Sequence, residues 1–485
     1  MSGTAAPPPR EYNRHEPEAG LWHRILRENL KRLLEEAKDP DDPESGIPSF
    51  VERELTGVLN CGVLSAGFIR WKCPSCRFER IVAFSCMARA LCPSCGARRM
   101  FETAAHLVDR VFPDDVPLRQ FVLAPPWELA SLLAADPSLL AQMGRIFMRV
   151  VFRWLTVVAQ EQHGVRDGRG GAVVVVQRFT ANLGLFPHLH ALVLDGVFHK
   201  PDPTLPAKFL PTRPPSPDDE RAISFGVAKR MMRLLKKRGL LDARDGEKPP
   251  TALMRWFARA SEERVKLSLV SPGGEVQKGQ VPFPWGKGHN DSTGLSFGFS
   301  VHARAQVRAG DRAGRERLAR YALRPPFAEA QLSETADGRI AFEVSESKRR
   351  GPRHLVLEPL RLLRRVCWLI PPPRTHVVVY HGVLASGSRL RSEVVPKHEP
   401  VVAVFVSPTA LPEVSSAPVR TTARVSWAKL LARVWSIDVE TCPRCGAHPM
   451  RPIAAITEPA VIGQILSHLG LAHELPVPHP ARAPP

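Results

Sequence analysis

Acidic residues are too few to balance basic ones: 48 Asp and Glu stand against 67 Lys and Arg in 485 residues, a formal charge of +19. That shortfall points to a polyanionic partner, with nucleic acid first among the candidates. No apolar run approaches the roughly 18 residues that a membrane-spanning helix needs, because 172–176 and 401–406 are only strand-length. Residues 1–9 hold no basic segment followed by an apolar stretch, so no secretory signal is expected and the reducing cytosol is the expected compartment. A nucleotide-binding G-x-x-x-x-G-K-[ST] loop is missing as well. The nine cysteines cannot all pair as disulfides, and metal ligands are the expected alternative. Tyrosine is the scarcest aromatic residue, limited to Tyr12, Tyr321 and Tyr380.

The hydrophobic content of 44% is that of a globular chain, and the 48 prolines are expected mainly in linkers and ends. The length predicts about three packed units, and the expected fold is α+β, built on an antiparallel sheet. Five segments follow from the composition: an N-terminal arm with an amphipathic helix (1–45), a zinc-binding DNA-contact module (46–110) and a helical spacer (111–168). A catalytic domain (169–345) with an insertion at 201–295, and a C-terminal basic module (346–485) with a Pro-rich tail, complete the chain. Within the catalytic segment, 172–180 and 188–197 read as a hairpin. Asp311 reads as the cap of a short helix that Pro325 and Pro326 terminate.

Cys73, Cys76, Cys92 and Cys95 form a C-x2-C-x15-C-x2-C pattern, the spacing of a tetrahedral zinc site made of two knuckles. Four thiolates close the coordination shell, so the expected zinc is structural. Arg70, Lys72, Arg77, Arg80, Arg89, Arg98 and Arg99 crowd the same segment and read as a DNA grip. Cys61 and Cys86 are spare candidates. Cys442 and Cys445 form a further pair that lacks two ligands, with His448 the near candidate for a second zinc.

His188 and His190 are two residues apart, so on a strand both imidazoles leave one face and can share a metal ion. If the hairpin pairs Phe179 with His188, Gln177 falls opposite His190 as a third ligand. Such a site keeps open positions for a phosphate oxygen. Tyr321 is a candidate nucleophile, because its helix also carries Arg315, Arg317, Arg320 and Arg324, which are placed to hold a DNA backbone. The plain alternative for each residue is packing, since short His-x-His patterns and half-buried tyrosines are common.

Taken in order, FSCMARALCPSCGARRM, VQRFTANLGLFPHLHALVLDGVF, RLARYALRPP and WSIDVETCPRCG resemble rolling-circle HUH transposases of the IS91 type, including the ISCR-like elements, over about residues 48–468. The resemblance implies a zinc region on Cys73, Cys76, Cys92 and Cys95, a catalytic Mg²⁺ or Mn²⁺ on His188 and His190, and a catalytic tyrosine at Tyr321. It also implies cleavage and rejoining of single-stranded DNA at element ends through a 5′-phosphotyrosine. Founding members carry two tyrosines four residues apart, whereas Arg317 and Pro325 stand at those distances here. The chain is therefore similar to the single-tyrosine branch, in which the one tyrosine is reused or a second subunit of a homodimer supplies another. Two other readings remain: a non-enzymatic zinc-dependent DNA-binding protein, and a metallohydrolase that activates water.

Overall fold

A computed structural model describes residues 16–38, 45–202, 204–240, 251–262, 268–270, 276–278, 298–347, 351–396 and 440–471. The N-terminal region begins with helices α1 (Leu21–Glu36) and α2 (Ser49–Leu59), whose buried stripes, Trp22, Ile25, Leu26, Leu30 and Leu33 on one and Val51, Leu55 and Val58 on the other, face a common core. Strands β1 (Phe68–Lys72) and β2 (Glu79–Ala83) pair in an antiparallel ladder, and helix α3 (Pro93–Arg110) follows.

The central sheet is antiparallel throughout. It is built from β3 (Leu118–Ala124), β4 (Gly171–Phe179), β5 (Leu185–Leu194), β10 (Ser300–His302), β11 (Gln306–Val307) and β15 (Val378–Gly382). Its order is β10-β3-β5-β4-β15, with β11 also on β3. Between these strands run α4 (Ala130–Ala135), α5 (Pro137–His163), the β6 (Gly196–His199) and β7 (Lys208–Pro211) ribbon, and α6 (Pro217–Lys237). Asp136 caps α5 by accepting from the Leu139 amide, and Ser216 with Asp219 forms a capping box on α6, so that helix starts one step before the acidic run at Asp218.

Helices cover both faces of the sheet, which explains why its strands are apolar almost end to end. On one face Phe121, Leu123, Val174, Leu189 and Ala191 pack against α5 and α6 through Met143, Phe147, Val151, Val227 and Met231. On the other, Leu118, Val173, Val175, Leu192 and Leu194 pack against α3 and against α8 (Arg312–Leu323) through Ala104, Leu107, Ala319 and Ala322. The segment 111–168 is thus no spacer. The sequence reading missed β3, and α5 is a layer on the central sheet because its apolar stripe needs that surface.

A second antiparallel sheet, ordered β12 (Leu332–Glu334), β13 (Ile340–Ser347), β14 (Gly351–Leu357), β8 (Ser268–Val270) and β9 (Val276–Lys278), joins the core shared by α1, α2, α7 (Ala252–Glu262) and α9 (Pro359–Leu369). The expected C-terminal module, 346–485, is likewise divided. β15 is an edge strand of the central sheet, α10 (Arg391–Val394) lies on the α8 side, and β16 (Arg451–Ile456) with α11 (Pro459–His468) joins the N-terminal region. No described helix is long and apolar enough to cross a membrane. The Pro-rich tail from 472 lies outside the described residues.

Candidate metal and nucleophile site

Four polar side chains interrupt the apolar face beneath α8: Gln120 on β3, Gln177 on β4, and His188 and His190 on β5, all buried. A buried polar group on such a face needs a partner or a task. The hairpin register differs from the expected one: Gln177 lies opposite His188, and Val175 opposite His190. The ladder shifts between Gln177 and Phe179, across from Pro187, which has no amide to donate and so favours a bulge there. Because the displacement is by two residues, Gln177 keeps the face of the histidines.

The hydrogen bonds fix one histidine tautomer and restrict the other. His188 Nδ1 lies 2.9 Å from the Phe186 carbonyl, which only accepts, so Nδ1 carries the proton and Nε2 keeps its lone pair. Gln120 Nε2 lies 2.7 Å from His190 Nδ1, and as placed its NH2 donates to that nitrogen. Exchange of the amide's N and O lets Nδ1 donate to Gln120 Oε1 instead, and that is the arrangement in which His190 Nε2 becomes an acceptor. His190 Nε2 is buried without a hydrogen-bond partner, as is Gln177 Oε1. Burial pulls the His188 pKa down to about 4 and that of His190 to about 2, so both rings are neutral at pH 7, as metal ligands must be. Two lone-pair nitrogens and one orphaned amide oxygen fit a divalent cation. Gln120 was missed from the sequence, although the apolar run between Pro117 and Pro125 carried a strand signal.

Tyr321 comes to this face. Its ring centroid is 5.7 Å from that of His190, edge to face, and the His188 and His190 rings are 4.9 Å apart. The cause is local: Asp311 accepts from the Gly314 amide to start α8, and the helix runs to Leu323 before the two prolines. Gln177 Nε2 donates to the carbonyls of Tyr321 at 3.1 Å and Ala322 at 2.8 Å, which ties the last turn of α8 to β4. Two carbonyl acceptors require the NH2 end there, so the free atom is necessarily the oxygen. Tyr321 is 38% exposed while the two histidines beneath it are buried, so a large substrate can reach the phenol. Arg324 sits 5.1 Å over the tyrosine ring. Tyr380 lies on edge strand β15, and Tyr12 is outside the described residues.

Not every cation expected to grip DNA is available. Arg315 is 1% exposed and donates to the carbonyls of Pro113, Asp114 and Val116, as a strut under α8. Arg320 lies over the Phe101 ring. In the zinc module, Arg70 and Lys72 pair with Glu79, and Arg99 donates to the carbonyls of Met87 and Arg89. Asp195, the carboxylate nearest the histidines in sequence, is held by Arg119 through two 2.8 Å bonds and is not placed as a base.

The cysteines group differently from their spacing. Cys92 and Cys95 meet Cys61 and Cys86, whereas Cys73 and Cys76 meet Cys442 and Cys445, and in each quartet all sulfurs lie within 4.8 Å of one another. The single C-x2-C-x15-C-x2-C site is thereby corrected to two clusters. Cys73 and Cys76 follow β1, whereas Cys92 and Cys95 open α3, and these elements carry them to different places. In the first quartet the sulfur separations are 3.5 Å for Cys61–Cys92 and 3.6 Å for Cys61–Cys95 and Cys86–Cys95. Zinc at about 2.3 Å from each sulfur implies about 3.8 Å between them, against about 2.05 Å for a disulfide. The thiols perturb one another: Cys95 is drawn down and Cys92 pushed up, each by Cys61 first, so four thiolates there call for a cation. Gly96, next to this quartet on α3, lies so close to Pro325 that a Cβ would come within 2.9 Å of its ring. The start of α3, which carries half of the first quartet, therefore lies against the proline that follows the helix carrying Tyr321.

Comparisons with known proteins agree with this layout. The family described as "Putative transposase" matches residues 171–392, and the transposase zinc-binding domain of the IS91 type matches 29–124. No curated protein and no solved structure matches the chain. The two family matches support a transposase of the IS91 type, with DNA as its partner and structural zinc in its N-terminal module.

Proposed function

We propose that this chain, whose two matched segments are transposase modules, cleaves and rejoins single-stranded DNA at element ends through a covalent bond to Tyr321. The observation that carries the reading is the meeting of an exposed phenol with a buried pair of neutral imidazoles, beside two acceptor atoms that have no partner. His188, His190 and Gln177 are the residues to hold Mg²⁺ or Mn²⁺; when bound, such an ion stabilises negative charge on a phosphate oxygen. In the cleavage step the Tyr321 oxygen attacks phosphorus, the P–O3′ bond breaks, the phenolic proton leaves to water, and the departing 3′ oxygen takes a proton from water. The 5′-phosphotyrosine conserves the energy of the broken bond, so a second 3′-hydroxyl attacks it and releases Tyr321 without a nucleotide cofactor. Gln177 holds the last turn of α8 during both attacks, and Arg324 supplies positive charge beside the phenol. With Arg317 and Pro325 flanking it at four residues, Tyr321 acts alone in its subunit, in the single-tyrosine manner. Strand transfer then reuses it or takes a second tyrosine from a homodimer partner.

The test is incubation of the full chain with a labelled single-stranded element-end oligonucleotide and Mn²⁺. A protein–DNA adduct should survive a denaturing gel, vanish with EDTA, and be absent in Tyr321→Phe protein. Cleavage without an adduct would favour water as nucleophile, and an intact oligonucleotide would favour a pure DNA-binding protein.

A further inference from the structure

Cys442 and Cys445 lie outside both matched segments, which cover 29–124 and 171–392. Their thiols nevertheless meet those of Cys73 and Cys76, with Cys73–Cys445 and Cys76–Cys442 each at 3.5 Å. We propose that these four cysteines bind one zinc ion, so that residues 440–471 and the N-terminal zinc region form a single discontinuous module that staples the two ends of the chain.

Separations of 3.5 Å are far too long for disulfides and close to the roughly 3.8 Å edge of a zinc tetrahedron. The two contributing turns are also alike in backbone. The Cys73 amide donates to the Phe78 carbonyl, and the Cys442 amide donates to the Ala447 carbonyl, five residues on in each case. The fourth residue after the first cysteine is left-handed in both, Arg77 at φ 60° and Gly446 at φ 71°. A bulky residue such as Arg77 is rarely held there, and two turns of one shape facing each other are what a paired-knuckle zinc site requires.

Independent contacts join the same segments. β16 pairs with β1 along the edge away from β2, so β1 becomes the middle strand of three. Without β16 that edge of β1 would expose unpaired amides and carbonyls. Ile462 and Leu466 of α11 close a small core over Leu64 and Phe68, and Trp71, Phe78 and Met450 surround the second quartet. Entropy opposes joining cysteines 372 residues apart, but that cost rises only logarithmically with loop length.

This assignment does not depend on the chemistry proposed for Tyr321, and metal content reads it directly. Full-length protein should hold about two zinc ions per chain. Cys442→Ser/Cys445→Ser protein and Cys73→Ser/Cys76→Ser protein should each hold about one, and the variant with all four substitutions should also hold about one. Retention of both ions in Cys442→Ser/Cys445→Ser protein would overturn the proposal. A readout on the unmodified chain covers variants that fail to fold: stepwise EDTA treatment with pulses of N-ethylmaleimide, followed by peptide mass spectrometry. Cys73, Cys76, Cys442 and Cys445 should become reactive together, in a step separate from Cys61, Cys86, Cys92 and Cys95. Immediate labelling of Cys442 and Cys445 while Cys73 and Cys76 stay protected would contradict a shared ion.

Discussion

The first cysteine quartet and the histidine face both gather groups that can ligate a metal, yet they differ in kind. The quartet of Cys61, Cys86, Cys92 and Cys95 offers four soft thiolates, which fill a tetrahedral shell and leave no position for a substrate. The histidine face offers two imidazole nitrogens and one amide oxygen, all neutral, with a half-exposed phenol alongside. A closed shell holds the fold in place, and an open one leaves room for phosphate. The two meet mechanically where α3, opened by the quartet, packs on α8 at Gly96 and Pro325. On the proposed reading, zinc in the quartet braces the helix that carries Tyr321 and takes no part in the reaction.

The sharpest way to separate these roles is His190→Ala. Several kcal/mol of charge stabilisation correspond to a loss of roughly a thousandfold in divalent-ion-dependent cleavage. Zinc content should stay unchanged, and a loss of zinc in this variant would break the distinction. The reverse substitution, Cys61→Ser, should remove one zinc ion per chain and lower stability by several kcal/mol, read by metal analysis and thermal unfolding. If Cys61→Ser leaves the melting transition unchanged, the quartet is not structural. Gln120→Ala tests the support behind His190, and the Mn²⁺ concentration for half-maximal cleavage should rise about 10- to 100-fold. An unchanged Mn²⁺ requirement would remove Gln120 from the site. The smallest effect is expected of Gly96→Ala, which crowds Pro325 and should cost about 1–3 kcal/mol with a modest loss of cleavage. Full stability in that variant would mean that α3 and α8 are less tightly coupled than their contact implies.

What the sequence disclosed was mostly local. The cap at Asp311, the stop at Pro325, and the two strands around His188 are each written within a few residues, and all appear in the structure. Partner choice was not legible. Cys73 and Cys76 have the spacing to pair with Cys92 and Cys95, but spacing carries no information about a strand that returns from residue 451 to sit beside β1. β3 was overlooked because a short apolar run next to a long Ala- and Leu-rich helix gives an ambiguous period. With it went Gln120, as well as the recognition that 111–168 belongs to the central sheet and its covering layer. The register of Gln177 failed for a nearby reason: the turn brings Phe179 opposite Leu185 rather than His188, and nothing in the local sequence says where that turn closes.

The most direct test of the central claim is to locate the covalent bond. Full-length protein is reacted with a single-stranded element-end oligonucleotide and Mn²⁺, digested, and the nucleotide-bearing peptide sequenced by mass spectrometry. The predicted result is a phosphodiester on Tyr321 joined to the 5′ end of the cleaved strand. DNA attached at Tyr380 or Tyr12, or cleaved strands with no protein attached, would contradict it.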